Sequence, residues 1–301
     1  MSQTPHWISD SARVPAASAS AATRARRRHL NLWRHRSLVL GGVIVGLIVV
    51  AAVLATFATP YDPNKQNYGA LLQGMSGQHW LGTDQLGRDV FSRILVGART
   101  SLAVAAGAVA VALVIGVPVG LVSGYYRGFW DNWVIMRIVD ALQAFPFLIL
   151  ALVLAAVMGP GIRNAMIAIG VGYLPVFIRI VRGQVLAEVR KEYVDSARVV
   201  GCSDWRIMLR HIFPNITTPL IVQVSIAMAG GIVAEASLSY LGLGVIPPTA
   251  SWGTMLHDAQ GYLSQDAMLA VIPGLAIAVA VLGFNLLGEG LQEIWDPKLK
   301  E

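Results

Sequence analysis

Residue types that do chemistry are sparse in this chain, and their placement excludes more than it suggests. The four lysines, Lys65, Lys191, Lys298 and Lys300, follow Asn64, Arg190, Pro297 and Leu299. A phosphate-cradling GxxxxGK[ST] loop needs a Gly-Lys pair, so that backbone N–H groups and one ammonium meet the phosphates together. This chain has none, and any ATP it uses must be hydrolysed on another polypeptide. His79 and His257 stand far apart outside the apolar runs, with no HExxH pair, so neither a catalytic group nor a metal site is expected. The single Cys202 excludes an internal disulfide and a cysteine-only metal site. One carboxylate stands out by its surroundings. Glu235 lies in an apolar run, where a lone charge costs roughly 2.5 kcal/mol or more at mid-bilayer. It should therefore face either a transport pathway or a partner helix. It is the pathway candidate here, and an ion-coupled carrier would depend on it.

The densest polar chemistry is RKEYVDSARVVGCSDWRIMLRHIFPN, residues 190–215, with five basic and three acidic side chains between two apolar runs. Tyr193, Val194, Ala197 and Val200 share the i, i+1, i+4, i+7 face of a helix, with Asp195, Ser196 and Arg198 off it. Gly201 can take the left-handed conformation that ends a helix. Ser203 or Asp204 can cap a second helix from about Trp205, and Pro214 and Pro219 punctuate the approach to the next apolar run. Pattern alone leaves two readings, an amphipathic hairpin on lipid headgroups or a helix–turn–helix presented to a partner.

The elements around this segment are membrane spans. Only 13% of the 301 residues are charged and 55% are hydrophobic, with a mean hydropathy of +0.60, against about 25% charged in a typical soluble domain. Apolar runs near the roughly 20 residues that a bilayer requires occupy 38–59, 101–126, 141–162, 211–234 and 267–288. A shorter sixth, 164–178, crosses if its helix continues through Arg179, whose side chain can snorkel. The expected fold is thus all-α, with about six transmembrane helices. The first run exceeds the 7–15 residues of a signal-peptide core and is expected to be an uncleaved anchor.

Charge sets the expected orientation. With both termini cytoplasmic, inside segments hold 18 of the 23 Lys and Arg residues, leaving Lys65, Arg88, Arg93, Arg99 and Arg163 outside. That bias follows the positive-inside rule. The net charge of +6 is therefore topological. Nucleic acid is not an expected partner, because the basic residues flank spans and are not interleaved with aromatics on a soluble domain. Residues 1–37, rich in Ala, Ser and Arg, read as a disordered basic arm and 38–59 as the anchor helix. Residues 60–98 read as an external loop and amphipathic helix, 99–289 as the core, and 290–301 as a cytoplasmic tail.

Smaller features refine this. Val90, Phe91, Ile94, Leu95 and Ala98 should face apolar surroundings while Arg88, Asp89, Ser92 and Arg93 face away. Gly42/Gly46, Gly116/Gly120 and Gly120/Gly124 have the spacing of close helix contacts. Pro118, Pro146, Pro175 and Pro273 fall where spans can kink. Arg137 and Asp140 are spaced for a local ion pair. Nothing resembles a channel's selectivity filter.

YVDSARVVGCSDWRIMLRHIFPN resembles the EAA loop of ABC-importer permeases, here bounded as 182–218. Asp195, Ser196 and Ala197 fall on its Glu-Ala-Ala triplet, Gly201 on its glycine and Pro214 on its proline. The loop departs from the pattern at Asp195, Ser196, His211 and Phe213. LGTDQLGRDVFSRILVGARTSL, SYLGLGVIPPTASWGTML and PGLAIAVAVLGFNLLGEGLQEIWDPKLK resemble the dipeptide/oligopeptide/nickel branch, C-type subunit. Glu289, Gln292 and Glu293 depart from its C-terminal pattern. The resemblance implies a type I importer permease bundle in the bacterial cytoplasmic (inner) membrane, carrying short peptides. It implies a paralogous second permease, two P-loop ATPase subunits that hold the ATP and Mg, and an external binding protein. Asp195, Ser196, Ala197 and Gly201 would dock on the ATPase, with Arg198 and Asp204 as polar contacts. Residues 60–98 and 244–266 would face the binding protein, with Trp80 and Trp252 as exposed aromatics. An ion-coupled carrier using Glu235, or the same importer carrying nickel complexes, remains the alternative.

Overall fold

The computed structural model describes residues 36–295. The expected arm lies outside these residues except for its last two positions, as does 296–301 of the expected tail. Among the described residues there is no strand, only one isolated bridge between Thr83 and Asp89. Five helices are long and apolar enough to cross a membrane. They are α1 (Arg36–Phe57), α2 (Val90–Tyr126), α5 (Ile162–Glu188), the continuous stretch from α7 (Asp204–Arg206) through a wide turn at Ile207–Ile212 into α8 (Phe213–Tyr240), and α10 (Met268–Trp295). One further pair meets the same measure only when taken together: Trp130–Gln143, ending in α3 (Met136–Gln143), and α4 (Phe147–Met158), bent by 93° at the break between them. Two short helices, α6 (Glu192–Val199) and α9 (Trp252–Ala259), complete the chain.

The run at 141–162 was expected as one span with Pro146 as a possible kink, and the structure breaks it there into two helices. The residue before a proline is pushed out of the α region, so the helix stops at Gln143 and restarts after Pro146. The short sixth run does continue past Arg179, to Glu188. Pro118, Pro175 and Pro273 sit inside helices that continue through them.

Glycine lets two helix pairs approach. A Cβ on Gly116, Gly120 or Gly124 of α2 would lie 2.7–3.0 Å from Cβ atoms of Phe177, Val181 or Val185 on α5. A Cβ on Gly41 would collide with the Leu287 backbone nitrogen of α10, whereas Gly46 has nothing within 4 Å. The α1 contact therefore runs through Gly41, not through the expected Gly42/Gly46 pair.

At about 1.5 Å per residue, the 37 residues of α2 span about 55 Å, well beyond a hydrocarbon core of about 30 Å. Its first turns are therefore part of a longer helix that leaves the bilayer. Their polar face, expected to point away from the protein, is buried. Arg93 is 2% exposed and donates to the Pro63 carbonyl at 3.2 Å. Arg88 bridges Asp84 (2.6 Å) and Asp258 (3.0 Å). The loop 60–89 folds back over this face, and paired charges replace the water it would otherwise need.

Candidate coupling site

Helix α6 begins after extended Lys191, with Glu192 and Asp195 in its first turn and Arg198 in its last, the arrangement a helix dipole favours. It ends in two nested bonds, Gly201 N–H to the Arg198 carbonyl (2.9 Å) and Cys202 N–H to the Ala197 carbonyl (3.0 Å). Gly201 has φ +82°, the left-handed value this termination requires. Ser203 stands before α7, but its side chain makes no capping bond. Asp204 instead accepts the Tyr125 hydroxyl of α2 at 2.7 Å.

The short helix has two faces. Val194 and Ala197 are buried in one cluster with Ile207, Met208 and Ile212, and with Leu121 of α2 and Val181 and Val185 of α5. Asp195, Ser196 and Arg198 are exposed, with Asp195 and Arg198 paired at 3.2 Å. Val200, expected on the inner face, is 82% exposed beside Val199 at 88%. It is the C-cap residue, still helical in φ and bonded through its N–H to the Ser196 carbonyl at 3.1 Å, but beyond the elements that cover Val194 and Ala197. Val199, Val200 and Trp205 are all large apolar side chains left exposed in this loop, and exposed apolar surface among charged residues marks a contact site. Pro214 lies exposed in the first turn of α8.

Polar braces hold this inner end. The Tyr193 hydroxyl donates to Glu188 Oε2 at 2.6 Å, and Lys191 Nζ to Oε1 at 2.5 Å. Burial and the neighbouring Glu188 push the Tyr193 phenol up to about 12. Arg182 of α5 grips Asp131 with two bonds of 2.8 and 2.6 Å, and the Ser123 hydroxyl of α2 also donates to Asp131. This clasp ties three elements together. Sequence reading missed it, because Arg182 counted only as a topological charge and Asp131 as loop. The local Arg137–Asp140 pair does not form. Asp140 meets Arg179 across helices at 2.7 Å, and Arg137 lies 5.4 Å over Trp133.

The remaining candidates lie elsewhere. Glu235 is fully buried. Its Oε1 accepts the Ser239 hydroxyl at 2.7 Å, and the Ser239 Oγ in turn accepts the Val245 N–H at 3.0 Å. Glu235 Oε2 is buried without a partner. In this conformation Glu235 is packed inside the helices of this chain and braces the turn that follows α8 through Ser239. Trp80 is 63% exposed and packs on Phe91. Trp252 is not exposed. It is 2% accessible, and its indole N–H donates to the Ile94 carbonyl at 3.2 Å. Its ring fills the space left by Gly97, where a Cβ would come within 3.0 Å.

A bundle of long apolar helices carrying one short, two-faced helix at the polar end is the form of an importer permease, and comparison with known proteins agrees. Residues 116–301 match the family described as binding-protein-dependent transport system inner membrane component, and 24–74 match the N-terminal TM domain of oligopeptide transport permease C. The chain belongs to this family of ABC-importer permeases, as a multi-pass inner-membrane protein. Among its relatives are the glutathione transport system permease proteins GsiD. That of Pectobacterium atrosepticum is 44% identical over 268 residues, 89% of each chain. That of Escherichia coli O157:H7 is 44% identical over 278 residues, 92% of this chain and 89% of the relative. An inward-facing structure of the MetNI methionine ABC transporter superposes with a TM-score of 0.55 at 19% identity, covering 65% of this chain and 93% of that one, a likeness of fold.

Proposed function

We propose that this chain is one of two permease chains in an ATP-driven importer of short peptides of about glutathione size, received from an external binding protein. Two partner P-loop ATPases hold the ATP and Mg and grip the exposed face of α6 through Asp195, Ser196, Arg198, Val199 and Val200. Closure of the ATPases displaces α6. Because Val194 and Ala197 are locked against α2, α5 and the α7–α8 segment, the displacement is passed to several spans together. The positive-inside bias supports placing this loop and both termini in the cytoplasm.

The observation that carries this reading is the two-faced α6, with Val194 and Ala197 buried and Asp195, Ser196, Arg198, Val199 and Val200 exposed. Neither an ion-coupled carrier nor a nickel cargo gains support. Glu235 is fully buried in this chain, and the relatives are named for glutathione transport.

The test is gentle purification of the tagged chain from its native cell, with mass spectrometry and an ATPase assay on the eluate. A P-loop ATPase and a second permease should co-purify and be lost on deletion of residues 193–201. A stable homo-oligomer without ATPase activity would contradict the proposal.

A further inference from the structure

The elbow between α3 and α4 is non-helical backbone between two apolar helices. From the tight turn at 159–161, the 12 residues of α4 descend about 18 Å at 1.5 Å per residue. That places the elbow near the middle of a hydrocarbon core about 30 Å thick. The first α4 bond is Leu150 N–H to the Pro146 carbonyl, so the N–H groups of Phe147, Leu148 and Ile149 have no acceptor within the helix. Pro146 offers no side-chain cap. Gln143, Ala144, Phe145 and Pro146 are exposed on this chain. Unpaired backbone cannot face lipid. It is tolerated only where protein covers it or where it lines a water-filled cavity.

A cavity of about 440 Å³ opens at this point, walled by the elbow and by Gly172, Tyr173 and Val176 of α5. That volume lies in the range that holds small ligands, roughly 300–1,000 Å³. Every residue lining it is uncharged, and the side chains able to hydrogen-bond are Gln143 and Tyr173. The wall is firm: Phe147 and Tyr173 rings lie 4.6 Å apart, and a Cβ on Gly172 would come within 2.8 Å of Phe147.

We propose that this elbow is a wall of the translocation pathway, where the peptide in transit is met by the Gln143 amide and the Tyr173 hydroxyl. The inference rests on the importer reading above. Neutral donors and acceptors match the amides of a peptide backbone whatever its side chains. Without a fixed charge the contact holds weakly enough to release, as a pathway requires.

The test places cysteine at 143 in the assembled complex in lipid nanodiscs and follows its modification by an anionic, membrane-impermeant thiol reagent. Peptide mass spectrometry separates it from native Cys202. Leu47→Cys, exposed on α1, is the lipid-facing comparison. Cysteine at 143 should react at least about tenfold faster than at 47, because a charged reagent follows water. S-methylglutathione with binding protein and ATP should slow it several-fold. Tyr173→Phe should lower peptide moved per ATP by about three- to tenfold, the worth of one hydrogen bond, with the thermal unfolding midpoint unchanged. Equal rates at 143 and 47, or modification that the peptide leaves unslowed, would overturn the proposal. Uptake by the unmodified complex is measured in parallel: no uptake counts against the importer reading, whereas uptake without protection counts against the elbow.

Discussion

Substitution of Gly201 separates the shape of the coupling loop from its packing. Its φ is +82°, and a Cβ built there meets nothing within 4 Å. A side chain at 201 therefore causes no clash, and the penalty is conformational alone. The left-handed region costs an ordinary L-residue about 1–2 kcal/mol, which is a factor of about 5 to 30 in the population of the native turn. Asparagine visits that region readily, whereas for a β-branched residue it is an outlier. The expected order of coupling is Gly, then Asn, then Ala, then Val. It is read as binding-protein-stimulated ATPase activity and peptide uptake by the reconstituted complex. The unfolding midpoint of the permease serves as control and should barely move, because the exposed turn contributes little packing. Valine coupling as well as glycine would refute the argument, as would asparagine failing as badly as valine.

Asp131→Ala leaves the Arg182 guanidinium without its carboxylate. Loss of one member of a buried pair costs roughly 3–5 kcal/mol, and the lower end applies because Arg182 keeps 22% of its side chain exposed. A fall in the detergent unfolding midpoint checks this, and Asp131→Asn should fall less. Glu235→Gln keeps an acceptor for the Ser239 hydroxyl and should retain uptake, whereas Glu235→Leu should lose it. Loss of uptake in a well-folded Gln variant would return ion coupling to contention. Tyr193 contributes as a neutral donor to Glu188, and its phenol is raised from 10.0 to about 12. That stability is complete below pH 10 and lost as pH rises through about 12. In an ultraviolet titration Tyr193→Phe should remove a late-ionising tyrosine.

The loop was legible because its signals are local. A triplet, a glycine four residues on and a proline at fixed spacing describe one helix, one left-handed turn and a second helix. Span number was legible from hydropathy, which depends on composition more than on geometry. Geometry is where reading failed. Residues 141–162 are uniformly apolar, and hydropathy cannot distinguish a straight helix from two helices meeting at 93°; Pro146 marked the position but not the angle. Trp252 lies in a segment read correctly as outside the spans, yet it is buried because Gly97, far away in sequence, leaves room for its ring. The Asp131–Arg182 clasp and the Asp140–Arg179 bridge likewise depend on which helices become neighbours. Spacing within one helix could suggest only the Arg137–Asp140 pair, which does not form. The polar face of early α2 was recognised, but its burial depends on how loop 60–89 folds back.

The central claim, that the exposed face of α6 is gripped by an ATPase, is tested most directly by photo-crosslinking. A benzophenone amino acid replaces Val199 in the chain expressed in its native cell, with the same probe at Leu47 for comparison. The account predicts a covalent adduct at 199 with a P-loop ATPase, formed in cells and absent at 47. Adducts at 199 only with lipid or with another permease copy would contradict it.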